Sequence, residues 1–187
     1  MHMNQKGQAF SVFQLLIAAI IALAILVFLL QIIGQLPGFG QVDPTEEAAT
    51  KLKTASSRIG TPEITNRVTF EANKPLSART IASKTNQLSA GEICVTRGAS
   101  ETERFQVTSG SQGSGEPYNI LTYTGSQKIE RRLYILCDIE REITQTKNDL
   151  SAAIPDSEDA LANFDDDCQP QDSSNKYCVV SVIAAGS

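Results

Sequence analysis

The chain has 187 residues, a length typical of one domain with an appendage, and a formal net charge of −5. All 21 acidic residues lie at or beyond Asp43, where 15 of the 16 Lys and Arg residues also lie, so this part has a net charge of −6. An acidic domain argues against a nucleic-acid partner, because phosphate binding requires clustered Lys and Arg side chains.

An apolar segment without any charged residue extends from Ala9 to Ile33. As a helix its 25 positions would measure about 37 Å, more than the roughly 30 Å of a bilayer core. We therefore predict a transmembrane or assembly helix over residues 8–36, ended by Gly34 and Pro37. The lone cation on the amino-terminal side, Lys6, predicts a cytoplasmic amino terminus and an extracytoplasmic domain.

The residues before this segment, "MHMNQKG" followed by Gln8, resemble the class III signal peptide of archaeal type IV pilins and pilin-like surface proteins. The resemblance covers about the first 34 residues and implies a leader, residues 1–7, that a prepilin peptidase cuts between Gly7 and Gln8. It also implies that the apolar helix stays on the mature protein and packs against like or related subunits. Many members carry Glu shortly after the cut, whereas residues 9–13 here are Ala-Phe-Ser-Val-Phe.

Alternatives to a pilin-like subunit remain at this stage. A secretory signal is disfavoured because its apolar region is only about 7–15 residues long. A plain single-pass anchor fits the hydropathy equally well. A third class, a tethered hydrolase, has no residue constellation in its favour.

After a linker at residues 37–42, we expect an extracytoplasmic α+β domain over residues 43–187. "VDPTEEAATKLKTASSRIG" predicts a helix capped by Asp43, with Pro44 at its first position, Glu46 completing a capping box, and an end near Arg58. "RVTFEA", "GEICVT", "RFQVTS", "NILTYTG", "RRLYILCDI" and "KYCVVSVIAA" predict strands, and the last is apolar enough to be central. The strands, with short helices between them, indicate a largely antiparallel sheet.

Four cysteines, Cys94, Cys137, Cys168 and Cys178, all lie in this domain. An even count outside the membrane favours two disulfides, and three pairings are open. We favour Cys168–Cys178, because the separation is short, and hence Cys94–Cys137. Free buried thiols are the alternative.

The domain offers no evident reaction centre. The only histidine, His2, lies in the predicted leader, so the domain lacks the usual general base. A zinc site is disfavoured, because there is also no Cys-x-x-Cys. The stretch Asp165–Asp167 with Asp172 does not have the spacing of a calcium loop, and a solvated acidic loop is the favoured interpretation. Arg131-Arg132 is interpreted as a pair of solvent-side charges.

The sequence thus predicts no enzyme, no cofactor and no metal. It predicts a membrane-anchored, pilin-like surface subunit that assembles through its hydrophobic amino-terminal helix, on the cell membrane or in a cell-surface filament. The alternative is a non-assembling single-pass membrane protein whose extracytoplasmic domain binds a ligand or a partner.

Overall fold

The structure, a computed structural model, describes residues 14–27, 42–110 and 118–186. The chain divides into two compact units, Met1–Gln41 and Val42–Ser187. In the first unit, residues 14–27 are helical and are referred to as α1. Within the described part of the chain, no helix has the length and apolar character needed to cross a membrane.

The prediction of a long hydrophobic helix is therefore wrong for the part of the chain that the structure describes. The residues described as helical, 14–27, are fewer than the roughly 20 that a membrane-spanning helix needs. The leader, the cut between Gly7 and Gln8, and the rest of the predicted helix lie outside the described residues.

The second unit contains five further α-helices and eight strands among its described residues. The helices are α2 (Pro44–Ala55), α3 (Ala78–Thr85), α4 (Ile143–Ala153), α5 (Pro155–Ala160) and α6 (Phe164–Asp167). The strands are β1 (Glu63–Ile64), β2 (Val68–Phe70), β3 (Leu76–Ser77), β4 (Ile93–Arg97), β5 (Phe105–Gly110), β6 (Tyr118–Tyr123), β7 (Ile129–Ile139) and β8 (Lys176–Ile183).

Helix α2 has the predicted start and the predicted Asp43 cap, but not the predicted capping box with Glu46. The Asp43 carboxylate accepts hydrogen bonds from the backbone N–H groups of Thr45, at 2.8 Å, and Glu46, at 3.2 Å, and Pro44 occupies the first turn. These contacts satisfy amide donors that have no partner inside the helix. The Glu46 carboxylate pairs with Lys84 of α3, and the helix ends at Ala55 instead of near Arg58.

The main sheet has the strand order β1-β7-β8-β4, and β2 also pairs with β7. Strands β1, β2 and β8 are antiparallel to β7. Strand β4, however, pairs in parallel with β8, from Ile93 opposite Cys178 to Arg97 opposite Val182. The α+β class holds, and five of the six described strand pairs are antiparallel, but the parallel pair makes the main sheet mixed, which the sequence did not predict. Hydrophobic alternation predicts which face of a strand is buried and says nothing about its direction.

Strand β8 is central, as its apolar sequence predicted, and it is buried from Tyr177 to Ile183. Successive residues of β7 belong alternately to two apolar clusters, one on each face of the main sheet. Leu133 and Ile135 lie in a cluster with α2, α3 and the antiparallel sheet β3-β6-β5. Tyr134 and Leu136 lie in a second cluster with α4, α5 and α6. The main sheet therefore separates two packed layers.

A buried ion pair joins the turn after β4 to β7. The Glu101 side chain is 1% exposed, and its Oε1 lies 2.7 Å from Nε of Arg131, whose side chain is 11% exposed. Arg104 lies farther away, at 3.9 Å. The interpretation of Arg131 as a solvent-side charge is wrong, because its acidic partner is 30 residues away in sequence and only the tertiary fold brings the two together.

Substitution of Glu101 should strongly destabilise the second unit. In Glu101→Gln the guanidinium of Arg131 loses its charged partner, and breaking a buried pair in this way costs about 3–5 kcal/mol. We expect the midpoint of urea unfolding to fall accordingly. The exposed neighbour Glu103 provides the matched control, because Glu103→Gln removes the same charge from the surface. Equal midpoints for the two variants would contradict a stabilising role for this pair.

Candidate functional site

A cleft of about 300 Å³ lies at the edge of the main sheet where β4 and β8 begin. Because these two strands are parallel, their amino ends meet at this edge, and Ile93, Cys94 and Tyr177 form part of the lining. Strand β7 runs in the opposite direction and ends at the same edge, so that Glu140 follows it into the cleft. The parallel pairing that the sequence did not predict is thus what creates this site.

One wall of the cleft is the segment from Asp166 to Asn175. The carboxylate of Glu140 accepts hydrogen bonds from the backbone N–H of Gln171, at 2.8 Å, and from the hydroxyl of Ser173. The backbone N–H of Glu140 donates to the carbonyl of Asn175 at 2.9 Å. These contacts hold an irregular segment against the end of β7.

The other end of this wall is fixed to β4 and β6. Asp167 accepts a hydrogen bond from Thr96 Oγ1 at 2.6 Å through its carboxylate and one from the Asn119 side chain through its backbone carbonyl. The adjacent Cys168 is disulfide-bonded to Cys94, with 5.7 Å between the Cα atoms. Hydrogen bonds and one covalent bond therefore set the width of the cleft.

Both disulfides that the even cysteine count predicted are present, but the favoured pairing is wrong. The bridges are Cys94–Cys168 and Cys137–Cys178. Cys137 and Cys178 stand opposite each other in the β7–β8 ladder, with Cα atoms 4.1 Å apart. A disulfide requires Cα atoms within about 7 Å of each other. Short sequence separation is a weaker guide than strand register, which was unknown at the level of sequence.

The two bridges lie in different apolar layers of the second unit. Cys137 and Cys178 belong to the cluster beneath α2 and α3, whereas Cys94 and Cys168 belong to the cluster beneath α4–α6. Cys94 also lines the cleft. The sequence analysis therefore named three cleft residues: Cys94, for its bridge, and Asp166 and Asp167, in a stretch interpreted as a solvated acidic loop.

The cleft is acidic. Among its described lining residues are four carboxylates, those of Glu92, Glu140, Asp166 and Asp167, and no Lys or Arg. Three of them already accept hydrogen bonds from the protein, and Glu92 does so from the backbone N–H of Ser89 at 2.7 Å. The fourth, Asp166, is exposed. The arrangement fits a ligand that donates hydrogen bonds or carries positive charge.

Tyr177 has a buried side chain in the lining of the cleft. Burial raises the pKa of its phenol well above the usual range, and the negative charge of Glu140 raises it further. The hydroxyl therefore stays protonated at neutral pH and can donate a hydrogen bond, but it cannot act as a general base.

The acidic stretch Asp165–Asp167 does not converge on one point. Asp165 pairs with Lys147, Asp166 is exposed, and Asp167 accepts from Thr96. Over the described residues, no group of three or more His, Cys, Asp or Glu side chains is placed to hold a metal ion. The neighbouring Asp172 is exposed.

Most cleft residues were not predicted, because they come from segments far apart in the chain. Glu140, Asn119 and Tyr118 carry no local pattern that marks a site. Ser89 and Glu92 do have a signature: they are the first and last residues of "SAGE" and form a capping box around the short 3₁₀ turn Ala90–Glu92. That pattern predicts the turn, but not its place beside a cleft.

Comparison with known proteins does not add to this description. No protein-family model, no curated protein and no solved structure matches the chain.

Peptide mapping without reduction tests the pairing. Trypsin places each cysteine on a separate peptide, residues 85–97, 133–141, 148–176 and 177–187. We expect the first to be linked to the third and the second to the fourth, because these cysteines are within bonding distance. A link between peptides 148–176 and 177–187 would contradict the structure and restore the pairing favoured from sequence. Reduction before digestion is the control.

Proposed function

We propose that this chain is a membrane-anchored surface protein. Its apolar segment, Ala9 to Ile33, is the anchor, and residues 43–187 form an extracytoplasmic domain. The single observation that carries the proposal is the contrast between the exposed apolar side chains of residues 14–27 and the buried apolar side chains of the second unit.

The apolar side chains of α1 are exposed on every side of the helix. Leu15, Leu16, Ile17, Ile21 and Ile25 are between 44% and 73% exposed, and at 100° per residue they are distributed around the whole helix. A helix that packs on one neighbour needs only a stripe of apolar residues, whereas a helix that is apolar all round suits lipid or a fully enclosing set of helices. This supports lipid, or other copies of the segment, as its surroundings.

The two disulfides support an extracytoplasmic domain. Disulfides persist in oxidising compartments and are rare where the cell keeps thiols reduced. All four cysteines lie in the second unit and all are bonded. Together with Lys6 before the apolar segment, this supports a cytoplasmic amino terminus and an outward-facing domain.

Assembly is the further part of this proposal. The likeness of residues 1–34 to archaeal pilin-like proteins supports removal of the leader before Gln8 by a prepilin peptidase. The trimmed apolar segment then packs against like or related subunits at the cell surface. Close packing in lipid is driven by contact between side chains and backbones, and Ala18 and Ala22 supply small residues at a spacing of four.

One observation favours a second candidate, a single-pass protein that does not assemble and whose domain binds a ligand. The acidic cleft has a defined lining and a volume of about 300 Å³, at the lower limit for small-molecule sites. In this case the anchor serves only to hold the cleft outside the membrane.

The intact mass of protein extracted from membranes tests the anchor and the cut together. We expect the protein to sediment with membranes, to resist alkaline extraction, and to lack the mass of residues 1–7. Replacement of the small residue before the cut, Gly7→Leu, should leave the leader attached, whereas Asn4→Leu in the same leader should still be trimmed.

The outcomes separate the parts of the proposal. Membrane-bound protein that still carries residues 1–7 would support the anchor and contradict cleavage by a prepilin peptidase. Trimmed protein without filaments on the cell surface favours the single-pass candidate. Full-length protein that is monomeric and freely dispersed in buffer without detergent would contradict the proposal as a whole.

A further inference from the structure

Strand β5 is an outer strand of the sheet β3-β6-β5 and pairs with β6 on one side only. The direction of its backbone groups follows from the ladder. The N–H of Thr124 donates to the carbonyl of Arg104 at 2.9 Å, beside the pair formed by Phe105 and Tyr123. Arg104 and Thr124 thus form a hydrogen-bonded pair, and hydrogen-bonded and non-hydrogen-bonded pairs alternate along an antiparallel ladder. Phe105 and Tyr123 are therefore a non-hydrogen-bonded pair, and the backbone groups of Phe105 point away from β6.

Every second residue of β5 has backbone groups that point away from β6. Val107 and Ser109 also direct their N–H and C=O groups away from β6. The side chain of Arg97 donates to the outward carbonyl of Phe105. The outward groups of Val107 and Ser109 have no hydrogen-bond partner within residues 42–110 and 118–186.

This edge lacks the usual protection of outer strands. Proteins block such edges with Lys, with Pro or by making the strand very short. Phe105–Gly110 has neither a charged residue nor a proline, and Gln106, Thr108 and Ser109 are exposed. Among the other outer strands, β1 and β3 have only two residues each and β4 has five but ends in Arg97, whereas β5 has six and no charge.

We propose that β5 is a contact between copies of this protein, in which two β5 strands pair antiparallel about a twofold axis at Thr108. In this register Val107 of each copy stands opposite Ser109 of the other. The four outward N–H groups and four outward C=O groups then form four hydrogen bonds, and the two three-stranded sheets become one sheet of six strands. Strand addition at a free edge is a recurrent mode of recognition.

Charge favours a second copy over another partner. The domain is acidic, so two copies repel each other over much of their surfaces. Strand β5 is uncharged, and its self-pairing places no like charges opposite each other. A strongly basic or acidic partner strand would find no complementary charge on β5.

Four backbone hydrogen bonds give a weak contact, so we expect it only where copies are concentrated. Anchoring in one membrane, as proposed above, would raise the effective concentration. The contact itself involves only the second unit and does not depend on the anchor, so the two proposals can fail separately.

Cysteine cross-linking of the full chain in detergent micelles, at high protein concentration and with a mild oxidant, tests the register. In Thr108→Cys the two introduced thiols would face each other with Cα atoms about 4.5 Å apart, within the range of a disulfide. In the control Gln106→Cys, on the same face of the same strand, they would be separated by about four residues, roughly 13 Å. We expect the disulfide-linked dimer to be the main product of the first variant and a minor product of the second.

A second variant separates strand pairing from chance collision. Adding Ser109→Pro to Thr108→Cys removes an outward N–H that β6 does not use, so the dimer yield should fall while the thermal midpoint stays close to that of Thr108→Cys alone. Equal yields for Thr108→Cys and Gln106→Cys, or no dimer from Thr108→Cys, would overturn the proposal. Cross-linking of the Thr108→Cys variant to a different protein in membranes would likewise overturn self-pairing and assign the edge to that protein.

Discussion

The pairing of β7 with β8 is the interaction on which the rest of the second unit depends. The two strands are in register from Arg132 opposite Ile183 to Ile139 opposite Lys176. Every other strand of the main sheet pairs with one of these two, since β1 and β2 add to β7 and β4 adds to β8. The pair also carries the Cys137–Cys178 bridge, which restricts the unfolded chain at the point where strand register is set.

The cleft is a consequence of this arrangement. Once β8 is fixed against β7, the parallel addition of β4 brings the beginnings of β4 and β8 and the end of β7 to one edge. The irregular wall from Asp166 to Asn175 then closes that edge, and the Cys94–Cys168 bridge ties it to β4. A covalent tie at this position fits the proposed extracytoplasmic location, because disulfides persist in oxidising compartments.

The two proposals concern different surfaces of the molecule. The proposal of an anchor rests on an apolar segment in which the described side chains, those of residues 14–27, are exposed. The β5 contact rests on backbone groups at the edge of a small sheet. An assembly built with both would hold subunits together in the membrane and align their outer domains, and neither contact would need to be strong because each raises the effective concentration for the other.

Local features of the fold were predictable from sequence. The cap at Asp43 follows from short-range hydrogen bonding. The central position of β8 follows from its apolar sequence. Features that join distant segments were not predictable. The direction of β4, the partner of Cys168 and the burial of Arg131 each depend on a residue more than 25 positions away. For the same reason the cleft had no signature in the sequence.

Native-state hydrogen exchange of the intact, disulfide-bonded protein is the most direct test of this account. If β7 and β8 form the framework, the amides of residues 133–137 and 178–182 should exchange last, through opening that approaches global unfolding, while the outer strand β5 exchanges much earlier. Slowest exchange in the β3-β6-β5 sheet, with β7 and β8 opening first, would contradict the central role of their pairing.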